Sequence, residues 1–245
     1  MIHLDKSAVF VSDIHLSESA PKTIKAFENF LKNTCARYNA LFILGDLFEY
    51  WAGDDAKQFL STQRALNVLS KKIKIYFIPG NRDFLVGKHF QEQNHIHFLK
   101  DNTLIKLGKL NTLLLHGDTL CTDDYRYQIF RFFSRKKFLV KLFFSWRSVE
   151  KRKLFCETLR KKSSSKQSNN PSNIIDVNEN AVKKLFINNN YAPLMIHGHT
   201  HRLKTHDYNF DGHQCQRWVL GDWDKQANYL IWDGKKLQNK FFNLN

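Results

Sequence analysis

Long hydrophobic runs, paired cysteines and acidic charge are all scarce in this 245-residue chain. No apolar run approaches the roughly 20 residues that span a bilayer, which argues against a transmembrane segment. The start, MetIleHisLeuAspLysSerAlaValPhe, lacks the charged-then-apolar order of a signal peptide, so a cytoplasmic protein is expected. Four cysteines, Cys35, Cys121, Cys156 and Cys215, stand far apart and form no CxxC pair. That spacing excludes a dense disulfide framework and a cysteine-based structural zinc site, and it reads as reduced packing thiols. Acids number 23 against 38 Lys and Arg, for a net charge of +15. Such an excess suits an anionic lipid surface, a phosphorylated ligand or nucleic acid. With 42% hydrophobic residues the chain can still bury a sizeable core, as one domain or one domain carrying an insertion.

What is present is a repeated pattern. ValPheValSerAspIleHis (9–15), LeuPheIleLeuGlyAsp (41–46), IleTyrPheIleProGlyAsn (75–81), LeuLeuLeuHisGlyAsp (113–118) and LeuMetIleHisGlyHis (194–199) each run from buried-strand composition into Asp, Asn or His. Residues 22–38 and 56–72 place apolar side chains at intervals of three and four, the spacing of amphipathic helices. Strands alternating with helices predict an α/β fold, and in open α/β sheets ligands collect at the carboxyl ends of strands. Residues 217–222 and 229–234 predict a closing pair of strands, the second ending in a turn at AspGly.

The middle of the chain differs. Between Tyr125 and Lys162 there are 13 Lys and Arg against two acids, interleaved with PheArgPhePhe (130–133) and LeuPhePheSerTrp (142–146). A polar loop, LysLysSerSerSerLysGlnSerAsnAsnProSerAsn, follows. The expected organisation is therefore a catalytic core, 1–124 and 173–245, interrupted at 125–172 by a basic, aromatic helical lid.

The strand-end groups Asp13, His15, Asp46, Asn81, His116, His199 and His201 form a set of carboxylate, amide and imidazole donors. Such donors favour a hard-to-borderline divalent ion, and seven are too many for one ion but suit two about 3.5 to 4 Å apart. Read singly, AspXHis is a common turn, and GlyAsp or GlyAsn is a turn dipeptide. Read in order, AspXHis, GlyAsp, GlyAsn, HisGlyAsp and HisGlyHisThrHis resemble the calcineurin-type metallophosphoesterases. That resemblance implies an αββα core of two sheets flanked by helices. It assigns Asp13, His15, Asp46 and His201 to one ion and Asp46, Asn81, His116 and His199 to the other, with Asp46 shared and Asn81 and His116 counted among the catalytic groups. His197 is left as a neighbour that supports the turn.

Where many of these enzymes carry GlyAsnHis, this chain carries GlyAsnArgAsp, with Arg82 in the histidine's place. Arginine does not release its proton, so the site suits an anhydride whose phosphate leaving group departs unprotonated, with Arg82 pairing to phosphate oxygens. GlyAsnArgAspPheLeu (80–85), HisGlyAspThrLeuCysThrAspAsp (116–124) and HisGlyHisThrHisArg (197–202) further resemble one branch, the UDP-2,3-diacylglucosamine hydrolases of lipid A synthesis. That branch implies manganese, attack at the α-phosphorus, and substrate contacts from Asn81, Arg82, Asp124 and His199. SerLysGlnSerAsn (165–169) is similar to its Ser-Lys-x-x-Asn stretch and adds Ser165 and Asn169, although the family's following lysine is missing and Lys166 is the substitute at hand. The resemblance also implies a peripheral position on the anionic cytoplasmic face of the inner membrane, which the basic, aromatic insertion suits. Two other readings are a phosphoesterase of soluble nucleotides and a nuclease or nucleic-acid binder; no nucleic acid is expected, because the charge sits in the insertion, away from most metal motifs.

Overall fold

The computed structural model describes residues 1–136, 138, 146–169 and 176–244, with the backbone alone for 161–169. All five apolar runs become short buried strands. In one sheet β2 (Ala8–Val11), β3 (Ala40–Ile43), β4 (Lys74–Phe77) and β5 (Ile96–Phe98) run parallel, and β11 (Gln226–Trp232) and β12 (Leu237–Asn243) extend it antiparallel from β2. The second sheet has the order β1 (Ile2–Leu4), β6 (Thr103–Leu107), β7 (Leu110–Leu114), β8 (Leu194–His197), β10 (His213–Val219), β9 (Lys204–Phe210), with β7, β8 and β10 parallel.

Strand alternation divides the apolar residues among three layers. Ala8, Phe10, Phe42 and Leu44 of the first sheet meet Ile105, Leu107, Leu114 and Ile196 of the second in a core between the sheets. Val9, Val11, Leu41 and Ile43 face the other way, onto Phe27, Phe30 and Leu31 of α1 (Pro21–Asn33) and Leu66 and Leu69 of α2 (Leu60–Ser70). Behind the second sheet, Val182 and Phe186 of α6 (Glu179–Asn188) cover Leu113, Leu115 and Met195. Helix, sheet, sheet, helix is the resulting order. Helix α3 (Lys88–Gln93) completes the outer layer of the first sheet, its Phe90 set edge-on to Phe48 and Trp51.

Three expectations need adjustment: the polar run read as a loop from residue 161 is helical as far as Asn169, the end of α5 (Val149–Asn169). The second helix begins at Leu60 rather than 56, because Lys57 and Phe59 both adopt left-handed backbone, which an α-helix cannot include. Residues 217–222 and 229–234 do contain strands, but they do not pair with each other. β10 bonds to β8 and β9, β11 bonds to β2 and β12, and the chain crosses between the sheets at 220–225. The crossing is fastened by Leu220 N–H to His197 O (2.7 Å) and Trp223 N–H to Asp13 O (3.2 Å).

Helices α4 (Tyr125–Ser134) and α5 (Val149–Asn169) occupy the stretch read as an insertion. Asp124 caps α4, accepting the Tyr127 N–H at 3.0 Å. Phe186 is fully buried against Tyr208 and Phe210. Phe186→Ala should therefore cost roughly 3–5 kcal/mol, measured as a lower urea midpoint with an unchanged m-value.

Candidate dinuclear metal site

Parallel pairing brings the strand ends together. Asp13 N–H bonds Gly45 O (3.1 Å) and His15 N–H bonds Asp46 O (3.0 Å), so the loops after β2 and β3 run side by side. Gly198 N–H to His116 O (2.9 Å) does the same for β7 and β8. The two sheets are then joined at this edge. His199 N–H donates to Asp13 Oδ2 at 2.8 Å, and the His116 ring donates from Nδ1 to Leu44 O at 2.8 Å. The approach is close enough that a Cβ on Gly198 would lie 2.1 Å from both Asp13 Oδ2 and Ser12 Oγ, and one on Gly80 2.1 Å from Asp46 Oδ1.

Two groups of donors result, each with ligand atoms within 4.8 Å of one another: Asp13, His15 and His201, and Asp13, Asp46 and His116. Asp13 belongs to both groups. Asn81 joins the second through its Oδ1, 2.8 Å from His116 Nε2, and the His199 ring stands 5.0 Å from the His116 ring. All seven sequence-derived donors thus line one edge. Five of them, Asp13, His15, Asp46, His199 and His201, have left-handed backbone with φ between 51° and 70°, a conformation that persists only where surrounding contacts enforce it.

Donor atoms converge here at close range. Asp13 Oδ1 is buried and has no hydrogen-bond partner. His201 places Nδ1 3.1 Å from Asp222 Oδ2, so its Nε2 faces Asp13 Oδ1 (3.4 Å) and His15 Nε2 (3.3 Å). With its Nδ1–H committed to Leu44 O, a neutral His116 aims the Nε2 lone pair at Asn81 Oδ1, an arrangement stable only around a proton or a cation. Carboxylate, amide and imidazole donors without sulfur fit divalent ions of the hard-to-borderline class.

The electrostatics agree. Burial works against every charge in the cluster, yet His201, His116 and His15 hold the Asp13 carboxyl far below its ordinary range, and Asp13 and Asp222 push His201 up to about 10. Burial raises Asp46, while burial and the neighbouring His116 bring His199 down to about 4. Burial, then the Arg82 charge, keep His15 well below the imidazole range. His15 and His199 are thus held neutral, whereas the Asp46, Asp118 and Asp13 charges raise His116 against its burial and His201 keeps its proton; an ion binding here would displace those protons. His197 is different: buried, with Nδ1 against Gly198 O (2.8 Å) and Nε2 3.3 Å from Arg217, it is brought down to about 3 by burial and the arginine. It packs behind the turn.

Several supporting residues escape the sequence reading. Buried Asp83 ties two loops by accepting Leu47 N–H (2.8 Å) and Gly80 N–H (2.7 Å), and burial with the Asp46 charge push it up to about 7. Glu49 receives both Arg82 and Arg160 of α5. Asp222, which orients His201, ends a LeuGlyAsp run like the five strand ends, so a signal for it existed. Asp83 lies within GlyAsnArgAspPheLeu (80–85), which marks the position but not its role, and Glu49 has no signal beyond being an acid in apolar company.

Beside the cluster lies a cavity of about 300 Å³ whose lining includes Asn81, Arg82, Asp124, Tyr127, Phe130 and Arg160. Asp124 thus both caps α4 and lines this cavity. Ser165 and Asn169 fall on the α5 backbone, and their side chains, with that of Lys166, lie outside the described residues. Gly80→Ala should drive a methyl into Asp46 and weaken Mn²⁺ binding about tenfold or more, measured by calorimetry on protein whose circular dichroism is unchanged; undiminished binding would contradict this packing.

Comparison with known proteins is consistent with this geometry. Residues 7–203 match the family model described as calcineurin-like phosphoesterase. A protein of Aromatoleum aromaticum named UDP-2,3-diacylglucosamine hydrolase is 46% identical over 231 residues, covering 93% of this chain and 94% of the relative. One of Vibrio parahaemolyticus with the same name is 38% identical over 244 residues, covering 97% and 99%. Two strand-end clusters of acid and imidazole, on two stacked sheets and in this sequence, place the chain in the calcineurin-like phosphoesterase family, to which it belongs together with these hydrolases.

Proposed function

We propose that the chain is a metal-dependent hydrolase that cleaves the pyrophosphate of UDP-2,3-diacylglucosamine at the α-phosphorus, giving UMP and 2,3-diacylglucosamine 1-phosphate. The observation that carries this reading is the cavity, which sets Asn81 and Arg82, next to the donor cluster, against Phe84, Phe130 and Leu159. A charged diphosphate and an apolar chain need both kinds of wall in one place. The names of the relatives support the same substrate.

Asp13, His15, Asp46 and His201 would hold one divalent ion and Asp46, Asn81, His116 and His199 the other; Mn²⁺ suits their oxygen and nitrogen donors. When bound, two such ions supply an activated water and neutralise charge at phosphorus. The chain's own residues do the rest. Leu44 O and Asp222 fix the ring orientations of His116 and His201, and Asp13 anchors the His199 peptide. Arg82, whose Nε is 3.6 Å from Asp46 Oδ2, sits where it can pair with phosphate oxygens as charge develops, and it offers no labile proton. Tyr127 of α4 stacks on His199 at 6.2 Å between centroids and walls the site on that side. Asp124, Ser165 and Asn169 are the further proposed substrate contacts.

Residues 125–172 act in this reading as a lid over a core of 1–124 and 173–245. Several of its described cations turn inward. Arg131 pairs with Asp101 and Asp118, Arg152 with Asp55 and Arg160 with Glu49, so these arginines serve the fold. Outward face Ile129, Phe132, Phe133 and Trp146, with Lys136 over the Phe132 ring. Exposed aromatics beside lysines suit the anionic cytoplasmic face of an inner membrane, where the protein would sit peripherally. No helix among the described residues is long and apolar enough to cross a membrane.

Incubating Mn²⁺-loaded protein with UDP-2,3-diacylglucosamine in oxygen-18 water should place the label in UMP. Label in the lipid phosphate, or turnover confined to soluble nucleotides or nucleic acid, overturns the assignment. A Phe132→Ser/Phe133→Ser double variant should float with phosphatidylglycerol vesicles several-fold less than the wild type; equal flotation removes the membrane role from this surface.

A further inference from the structure

Arg135 lies just past the end of α4, and no catalytic or substrate role has been given to it. Its Nη2 donates to two consecutive carbonyls, Pro79 O at 3.1 Å and Gly80 O at 2.8 Å, and stands 3.8 Å from Asp118 Oδ2. Those carbonyls belong to the loop that presents Asn81 and Arg82. The same loop is held on its other side, where Gly80 N–H meets Asp83 and Arg82 N–H meets Asp46 Oδ1 at 2.9 Å. The Gly80 residue is thus fixed at both its N–H and its C=O, and the peptide plane that begins at its carbonyl carries Asn81.

One turn earlier, Arg131 reaches the opposite sheet. It donates to Asp118 Oδ2 (2.7 Å) and Asp101 Oδ2 (2.8 Å), and the other Asp101 oxygen accepts the His116 N–H at 2.9 Å. Helix α4 therefore grips the loop after β4 with one arginine and the loop after β7 with the next. Asn81 and His116, which touch at 2.8 Å, are the residues those loops present. Asp118 links the two grips; it is fully buried, and its Oδ1 has no hydrogen-bond partner, so its charge is compensated from the other oxygen by Arg131, Arg135 and the Tyr127 hydroxyl.

The geometry points to Arg135 as a positioning residue that sets Asn81 and Arg82 against His116, making the insertion part of the scaffold of the metal site as well as its cover. The inference rests on the metal reading above but not on the identity of the substrate. A neutral or shorter side chain at 135 leaves two carbonyls without their donor and lets the Asn81 loop move away from His116, whereas Asp13, His15 and His201, on other loops, stay in place.

Calorimetric titration of the full chain with Mn²⁺ tests this. Arg135→Ala should weaken one of two binding steps about tenfold or more and leave the other within a factor of about two, with partial recovery in Arg135→Lys or on adding guanidinium chloride at low millimolar concentration. Equal weakening of both steps, as general destabilisation gives, or no weakening, overturns the proposal. If the wild type shows no second Mn²⁺ step, the metal reading fails instead, and crystal structures of wild type and Arg135→Ala decide about Arg135: a shift of residues 80–82 by about 1 Å, the scale at which misplacement costs catalysis, upholds the positioning role, and an unmoved loop rejects it.

Discussion

Two carboxylates, Asp13 and Asp46, are buried within 4.8 Å of each other where the ends of two sheets meet. Uncompensated, that much charge in a low-dielectric interior would be prohibitive. The surrounding architecture answers it. Imidazoles arrive from both sheets, peptide N–H groups of Arg82 and His199 bond the carboxylate oxygens, and Arg82 approaches from the cavity side. These groups leave an unpartnered Asp13 oxygen and two facing imidazole nitrogens at the centre, donors that suit a cation. The parallel strands matter because they deliver all these groups to one edge, and the short loops matter because they allow no slack.

The strand ends were legible in the sequence because burial on both faces of a strand yields an apolar run, and the first polar residue after it stands out. The runs predicted an α/β fold, whereas the αββα layer order came from the family resemblance. Pairing across the last strands was not legible: residues 217–222 and 229–234 each read as strands, but nothing local says that the chain between them changes sheets. It does so because Leu220 and Trp223 bond to His197 and Asp13, contacts made only once the two sheets are stacked. Asp83 and Asp118 lie inside motifs and Asp101 in none, yet the supporting role of all three was illegible for a related reason. Each bonds a group that the fold brings from elsewhere in the chain: Asp83 the Leu47 N–H, Asp101 the His116 N–H and Asp118 the Arg131 guanidinium.

Net charge was the least informative signal taken as a sum. Within the insertion, four described arginines take inward roles that suit their chemistry. Planar, fork-shaped guanidinium groups at 131, 135, 152 and 160 reach inward to carboxylates and carbonyls, while Lys136, Lys151 and Lys153 remain on the surface. Among the described residues, the stretch read as one basic patch thus contains cations committed to the fold as well as cations on the surface.

The left-handed backbone at five of the donor positions has a further consequence for the choice of ligand. Asp, Asn and His tolerate this conformation better than other residues that bear a side chain. Glutamate and cysteine are competent metal ligands, but at Asp13, His15, Asp46, His199 or His201 they meet a backbone penalty before any question of coordination arises. The alphabet of the site is thus restricted twice, once by the ion and once by the main chain. Exchanging its oxygen and nitrogen donors for thiolates to recruit a softer metal would require rebuilding the loops, since changing the side chains alone leaves the φ angles where they are.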